Sequence, residues 1–270
     1  MKPRAPGARR RIGLIGFGAI GAQVYARISG DPACGLEVAF VHNRTPARMA
    51  GIPVALHLHG IQDLGQFDVD LVVEMAHPSY TRDWGEQILA RADYLPLSVA
   101  ALADDALRAR LLACAGRAGT TLAIPHGALM GLDSLREWRH AWSEVSISFF
   151  KSPANIDFSE SGIAPASIRS ETVLYDGPAR GIAKLFPRNV NTMVTCALAT
   201  TGLDACRARL VAVPGLAVAI AEVSARGRDG SSLLMRKEQP ASGVSGTEMF
   251  ESQFASILRA AGVRDSLVFV

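Results

Sequence analysis

From Arg11 to Pro125, short β-branched or aliphatic runs alternate with longer segments whose apolar residues recur at helical spacing. A parallel sheet with crossover helices produces this pattern. Residues 12–15, 37–41, 71–74, 95–99 and 121–124 read as strands. Between them, 19–29 reads as a helix stopped by Gly30-Asp31-Pro32, 79–91 as a helix entered through a serine cap after Pro78, and 104–118 as a helix ended by Gly119. After His126 the pattern changes. Strand-like runs at 145–150, 171–175, 208–213, 218–225 and 232–236 follow one another with few long crossovers, which predicts a mostly antiparallel sheet. Helical patterns at 179–185 and 191–201 interrupt it, and an amphipathic helix at 247–261 closes the chain. The stretch 152–168, rich in Ser, Pro, Ala and Gly, reads as a mobile loop.

The predicted fold class is α/β. A Rossmann-type parallel-sheet domain takes residues 12–125 plus 245–270, and a second, α+β domain with a mostly antiparallel sheet takes 126–244. A flexible basic arm at 1–11 precedes them.

Composition narrows the function classes. A hydrophobic content of 49% with 20% charged residues excludes a disordered chain, and 270 residues bury a core without staples. The net charge is +3, but Lys2, Arg4, Arg9, Arg10 and Arg11 all lie in the arm, which leaves a body with 23 basic against 25 acidic residues. Such a body has no clustered basic face for a polyphosphate, so nucleic acid is excluded as a partner. Cys34, Cys114, Cys196 and Cys206 are widely spaced and form no C-x-x-C pair, which argues against a disulfide framework, against a metal site and for a reducing compartment. No run offers the ~18 uncharged apolar residues of a membrane span, and the glycine-punctuated run after the arm is no signal peptide. A cytoplasmic protein without membrane contact is expected.

Between the first strand and first helix stands Gly16-Phe17-Gly18-Ala19-Ile20-Gly21, a G-x-G-x-x-G. Gly16 suits a tight turn, Gly18 lets backbone approach a pyrophosphate, and Gly21 lets the helix lie close to the sheet. Ala19 and Ile20 contribute the helix N-terminus that faces the phosphates. The second strand ends in His42-Asn43-Arg44-Thr45. An acid at that turn would accept from the ribose 2′-hydroxyl and repel a 2′-phosphate. A guanidinium fork with a hydroxyl beside it suits the phosphate instead. Asn43, Arg44 and Thr45 are therefore cofactor candidates, with a solvated loop arginine as the alternative for Arg44, and with NADP favoured and NAD also possible.

The glycine loop, the strand end Val72-Val73-Glu74-Met75-Ala76-His77-Pro78, Ser98-Val99-Ala100-Ala101-Leu102-Ala103-Asp104, Gly127-Ala128-Leu129-Met130-Gly131-Leu132-Asp133 and Phe186-Pro187-Arg188-Asn189-Val190-Asn191 together resemble the L-aspartate dehydrogenase family over nearly the whole chain after the arm. Phe40-Val41-His42-Asn43-Arg44 and Leu174-Tyr175-Asp176-Gly177-Pro178 resemble its animal-type branch. The resemblance implies a Rossmann domain with an α+β substrate domain, usually as a homodimer. It also implies interconversion of L-aspartate with oxaloacetate and ammonia through iminoaspartate, using NAD or NADP, so the expected partner is a dicarboxylic amino acid or oxo acid. By the same resemblance Ala128 and Asn189 contact the nicotinamide half of the dinucleotide. The family's catalytic histidine does not carry over. Its place falls at about Ala221-Glu222-Val223, whereas the six histidines are at 42, 57, 59, 77, 126 and 140. The family's Asn-Pro-Lys-Thr-Ser is likewise replaced by Gln239-Pro240-Ala241-Ser242-Gly243.

Deamination requires a group that takes a proton from the substrate ammonium and later activates water, which a pKa near neutrality serves well. His126, at a strand end just before Gly127-Ala128, is the first substitute, with a capping role as its alternative. His77, at another carboxyl strand end, is the second, with helix entry as its alternative. Lys151, which matches a family lysine, is a candidate to bind a carboxylate or assist proton transfer, with an ordinary solvated lysine as its alternative. Two further readings stand beside aspartate chemistry: reduction of a different imine or carbonyl compound, and dinucleotide binding without catalysis.

Overall fold

The computed structural model describes residues 8–127, 129–242, 245–246, 249–263 and 267. The chain divides into two compact units, Met1–Pro125 with Gln253–Val270, and His126–Ser252. In the first unit β1 (Arg10–Ile15), β2 (Leu36–His42), β3 (Leu71–Glu74) and β4 (Asp93–Pro96) form a parallel sheet in the order β2-β1-β3-β4. The crossovers carry α1 (Ala19–Gly30), α2 (Pro78–Leu89) and α3 (Asp105–Ala118). Every residue of β3 is buried, as expected of a central strand covered on both faces, and this is why Leu71-Val72-Val73 runs apolar without alternation. The ring of Phe40 fills the place a Cβ on Gly13 would take, so β1 and β2 fit only with glycine there.

Local chemistry explains where the elements stop. The Asp104 carboxylate accepts from Leu107 N at 3.0 Å to cap α3, and Gly119 ends that helix at φ +67°. β1 begins two residues before the expected start: Arg10 and Arg11 pair with Leu36 and Glu37, and Arg11 N donates to Asp70 at 2.8 Å. These two residues belong to the sheet rather than to an arm. The expected strand 95–99 is instead β4 followed by a 3₁₀ turn at Val99–Ala103, because Ser98 N turns out of the ladder to donate to Glu74. The expected strand 121–124 shrinks to one bridge, Tyr94 with Leu122, and Pro125 has no N–H to extend it.

In the second unit β5 (Trp142–Lys151), β6 (Thr172–Pro178), β7 (Arg207–Ala212), β8 (Val218–Gly227), β9 (Ser232–Ser242) and β10 (Ser245–Gly246) form a sheet in the order β10-β9-β8-β5-β7-β6. Among the described residues only the β5–β7 pair is parallel. Three helices complete the unit: α4 (Leu132–Glu137), α5 (Ala179–Leu185) and α6 (Asn191–Ala199). Along β5 the residues Val145, Ile147, Phe149 and Lys151 are buried and their neighbours are not, so a strand of period two turns one face to the core. The stretch 152–168 contains two 3₁₀ turns. It is tied down by Asp157, whose N donates to Asn189 Oδ1 at 3.1 Å and whose carboxylate accepts from Arg188 at 2.7 Å.

The last helix, α7 (Met249–Ala260), lies within its sequence pattern 247–261, whose first two residues are outside the described ones. The strand pair β9–β10 keeps 245–246 with the second unit, and the boundary falls after Ser252 rather than at 245. The four cysteines are free thiols. Among the described residues no helix is long and apolar enough to cross a membrane.

Candidate active site

In the first unit the sheet order reverses between β1 and β3, so the turns that follow these strands flank the crevice where open α/β sheets bind ligands. Gly16 adopts φ +99°, and its N–H donates to His42 O at 2.8 Å. A Cβ on Gly16 would stand 2.8 Å from the Met75 carbonyl, so only glycine lets the two turns approach. A Cβ on Gly21 would strike the Gly16 carbonyl oxygen. Gly18 caps α1 without a side chain and faces open space, with nothing within 4 Å of its would-be Cβ. The first bond back into the helix is Ala22 N to Gly18 O, so the amides of Ala19, Ile20 and Gly21 precede the helical ladder. The first turn of α1 carries no acid. A positive helix end with clearance in front of it fits the pyrophosphate of a dinucleotide.

At the end of β2, His42 is buried. Its Nδ1–H donates to Leu58 O at 2.8 Å, which leaves Nε2 to accept from the Tyr80 hydroxyl at 3.2 Å. Burial pushes the His42 pKa down, so the ring is a neutral strut rather than a cation. Asn43 Oδ1 accepts from Thr45 N at 2.9 Å and closes a small turn. Arg44 is exposed on this turn, close enough to Tyr80 for its charge to oppose the rise that burial imposes on the phenol.

Sequence reasoning noted Glu74 only as part of a strand end. It is fully buried, its Oε1 accepts from Ala76 N at 2.6 Å, His77 N at 2.8 Å and Ser98 Oγ at 3.0 Å, and its Oε2 accepts from Ser98 N at 3.2 Å. Burial outweighs these donors and raises its pKa to about 7. The signal in the sequence was an acid closing an otherwise apolar strand. His77 caps α2: its Nδ1 accepts from Ser79 N at 3.2 Å and lies 3.0 Å from Ser79 Oγ. The cap is therefore His77, and Ser79 lies inside the helix.

In the second unit His126 Nε2 lies 3.5 Å from the carboxylate of Asp133, in the first turn of α4. Lys151 ends β5 with 9% of its surface exposed, its ammonium 5.4 Å from the centre of the Phe149 ring. Burial lowers its pKa to about 8. Asn189 uses its Oδ1 on Asp157 N, while its buried Nδ2 has no hydrogen-bond partner among the described residues; the same holds for Oε1 of buried Gln239. Ala221 faces Phe149 on one side and Lys237 on the other, and a small pocket is lined by Leu129, Met130, Thr192, Ala221, Met235 and Lys237. Ala128 lies outside the described residues.

Residues 134–249 match the family model of the aspartate dehydrogenase C-terminal domain, and residues 16–125 that of the homoserine dehydrogenase NAD-binding domain. An aspartate dehydrogenase domain-containing protein of Xenopus tropicalis is 35% identical over 216 residues, which cover 77% of this chain and 76% of that one. L-aspartate dehydrogenase 1 of Bordetella pertussis is 32% identical over 256 residues, covering 91% and 96%. The chain belongs to the aspartate dehydrogenase family. Among solved structures, aspartate dehydrogenase from Thermotoga maritima aligns with a TM-score of 0.72 at 24% identity, over 97% of this chain and all of that one, a likeness of fold. As a member of the aspartate dehydrogenase family, the chain is an oxidoreductase that acts on an amino acid with a nicotinamide dinucleotide. The clearance at Gly18 fits such a cofactor.

Proposed function

We propose that this protein is an L-aspartate dehydrogenase that interconverts L-aspartate with oxaloacetate and ammonia through iminoaspartate and prefers NADP. The observation that carries the reading is Lys151, a buried amine with a pKa of about 8 in the unit that matches the aspartate dehydrogenase C-terminal domain. Near neutrality such an amine exists in both protonation states, as proton transfer to and from an amino acid requires. The nicotinamide, when bound, supplies the acceptor for the hydride from Cα. Lys151 in its neutral form takes a proton from the substrate ammonium before hydride departs. Once that proton has passed to solvent, the neutral amine accepts a proton from the water that attacks the iminium carbon, and between these two steps its ammonium form is the natural partner of a substrate carboxylate.

His126, oriented by Asp133, is the second proton-transfer group. His77 is assigned a smaller part, because its Nδ1 is engaged in capping α2. Gly16, Gly18, Ala19, Ile20 and Gly21 hold the pyrophosphate through backbone amides. Asn189 offers its unpartnered Nδ2 to the nicotinamide half, where Ala128 is expected as well. Arg44 and Thr45, on the turn braced by Asn43, receive the 2′-phosphate, and Arg44 supports NADP because it is a solvent-facing cation.

The test follows NADPH, and separately NADH, at 340 nm with oxaloacetate and ammonium over a range of pH, with an ammonium-free control. Ammonium-dependent oxidation that is faster with NADPH is expected. Ammonium-independent oxidation would assign the site to a carbonyl reductase. Binding of NADPH without any turnover would assign it to dinucleotide sensing.

A further inference from the structure

The strand order β2-β1-β3-β4 lays out the dinucleotide in sequence across the carboxyl edge of the first unit. The adenosine half belongs over the β2 end, where Arg44 stands, and the pyrophosphate over the turn after β1. The nicotinamide half must then continue over the ends of β3 and β4. Those two ends are joined by one side chain. Glu74 closes β3, opposite Ile15 of β1 and Pro96 of β4, and its backbone O accepts from Leu97 N at 2.8 Å. Its carboxylate collects Ala76 N and His77 N from the turn after β3, and Ser98 N and Oγ from the turn after β4. The turn so held is the one whose Met75 carbonyl abuts Gly16, the first glycine of the phosphate loop.

We propose that Glu74 is the positioning residue for the nicotinamide half of the dinucleotide: its carboxylate locks the Met75–His77 turn and Ser98 into one wall of the crevice. Three of its four donors are backbone amides, which only donate, so an acceptor-only carboxylate satisfies them all and a carboxamide does not. In a Glu74→Gln variant the new NH₂ group faces amide hydrogens, and one side of the wall must open. The shape of the site, rather than any direct contact of Glu74 with the ring, is what changes. The inference rests on the cofactor being a nicotinamide dinucleotide and is independent of the substrate, because it is read from binding alone.

The experiment titrates the full-length protein and its E74Q variant with NADPH, following nicotinamide fluorescence, and with 2′,5′-ADP, which carries only the adenosine half. Thermal unfolding is recorded in parallel. The expected result is roughly 10-fold weaker NADPH binding with loss of the emission shift of bound NADPH, while 2′,5′-ADP binding stays within about twofold. Equal weakening of both ligands would overturn the proposal, since it would make Glu74 a general support of the unit. Unchanged binding of both would overturn it as well. Ser98→Ala removes only the hydroxyl donor and guards against a variant that does not fold. It should weaken NADPH by about two- to fivefold and spare 2′,5′-ADP, and no difference between the two ligands in this variant refutes the idea. Failure of aspartate turnover with NADPH binding intact would bear on the substrate and not on this inference.

Discussion

Replacing Lys151 with Met separates what the buried amine does for catalysis from what it does to stability. Methionine has a similar length and no charge, so the packing against Phe149 largely survives. The drop in the Lys151 pKa from 10.5 to about 8 corresponds to about 3 kcal/mol disfavouring the charged form in the folded protein. The pKa is lower in the folded state than in the unfolded state. The unfolded chain therefore binds more protons between pH 8 and 10.5, and stability rises with pH across that window. Below pH 8 both states are charged and the full penalty applies. Lys151→Met should accordingly be more stable than the parent by about 3 kcal/mol at pH 7, about 2 at pH 9 and under about 1 at pH 10. Urea titrations at the three pH values, read by the change in midpoint at constant slope, measure this directly. In the same variant aspartate oxidation should fall by roughly 10²- to 10⁴-fold, while in the parent it should rise with pH through about 8. A variant no more stable at pH 7, or equally stabilised at pH 7 and pH 10, would refute the burial argument. Activity within about twofold of the parent would remove Lys151 from the chemistry.

Arg44→Ala should weaken NADPH by about 10-fold or more and leave NADH nearly unchanged in fluorescence titrations; equal losses would assign Arg44 to the surface. Gly21→Ala drives a methyl group into the Gly16 carbonyl and should abolish binding of both dinucleotides, measured by calorimetry. His77→Ala removes the cap of α2 and should lower stability by about 1 kcal/mol in a urea titration while kcat stays within about threefold. A hundredfold loss of kcat with unchanged stability would instead make His77 catalytic.

The parallel sheet was legible because its signals are local. β3 coincides with the run 71–74, since a central strand buried on both faces is apolar throughout. The end of α3 coincides with Asp104 and Gly119, since caps are read from single residue types. The misjudged elements were decided at long range. The run 95–99 has strand composition to its last residue, yet its pairing stops at Pro96 because Ser98 answers to an acid 24 positions earlier. Arg10 and Arg11 look like part of a tail, yet Asp68, Asp70 and Glu37 give them partners at the sheet edge. Likewise, the glycine roles could be read from spacing, because each is a statement about backbone. The state of Lys151 could not, because it depends on what covers the end of β5.

Burial of an ion lies outside any local pattern, and two buried ionisable groups of this chain, Glu74 and Lys151, act in opposite senses. Glu74 has its pKa raised to about 7, so its stabilising contribution is complete below the unfolded value of 4.5 and is lost as pH rises through 7. Lys151 behaves conversely, and its penalty is relieved only above pH 8. Near pH 7.5 both groups are largely charged while buried, at a combined penalty of several kcal/mol. An apolar residue at Lys151 would make a more stable protein, whereas at Glu74 the unpaired donors would cost more than the burial penalty relieved. At Glu74 that would leave three amides and a hydroxyl without an acceptor beside the crevice, and at Lys151 it would remove the amine poised to exchange a proton. The burial penalties are thus located at two positions where the proposed chemistry needs an ion, one shaping the cofactor crevice and one moving the proton, and only at Lys151 does the penalty stand as stability forgone.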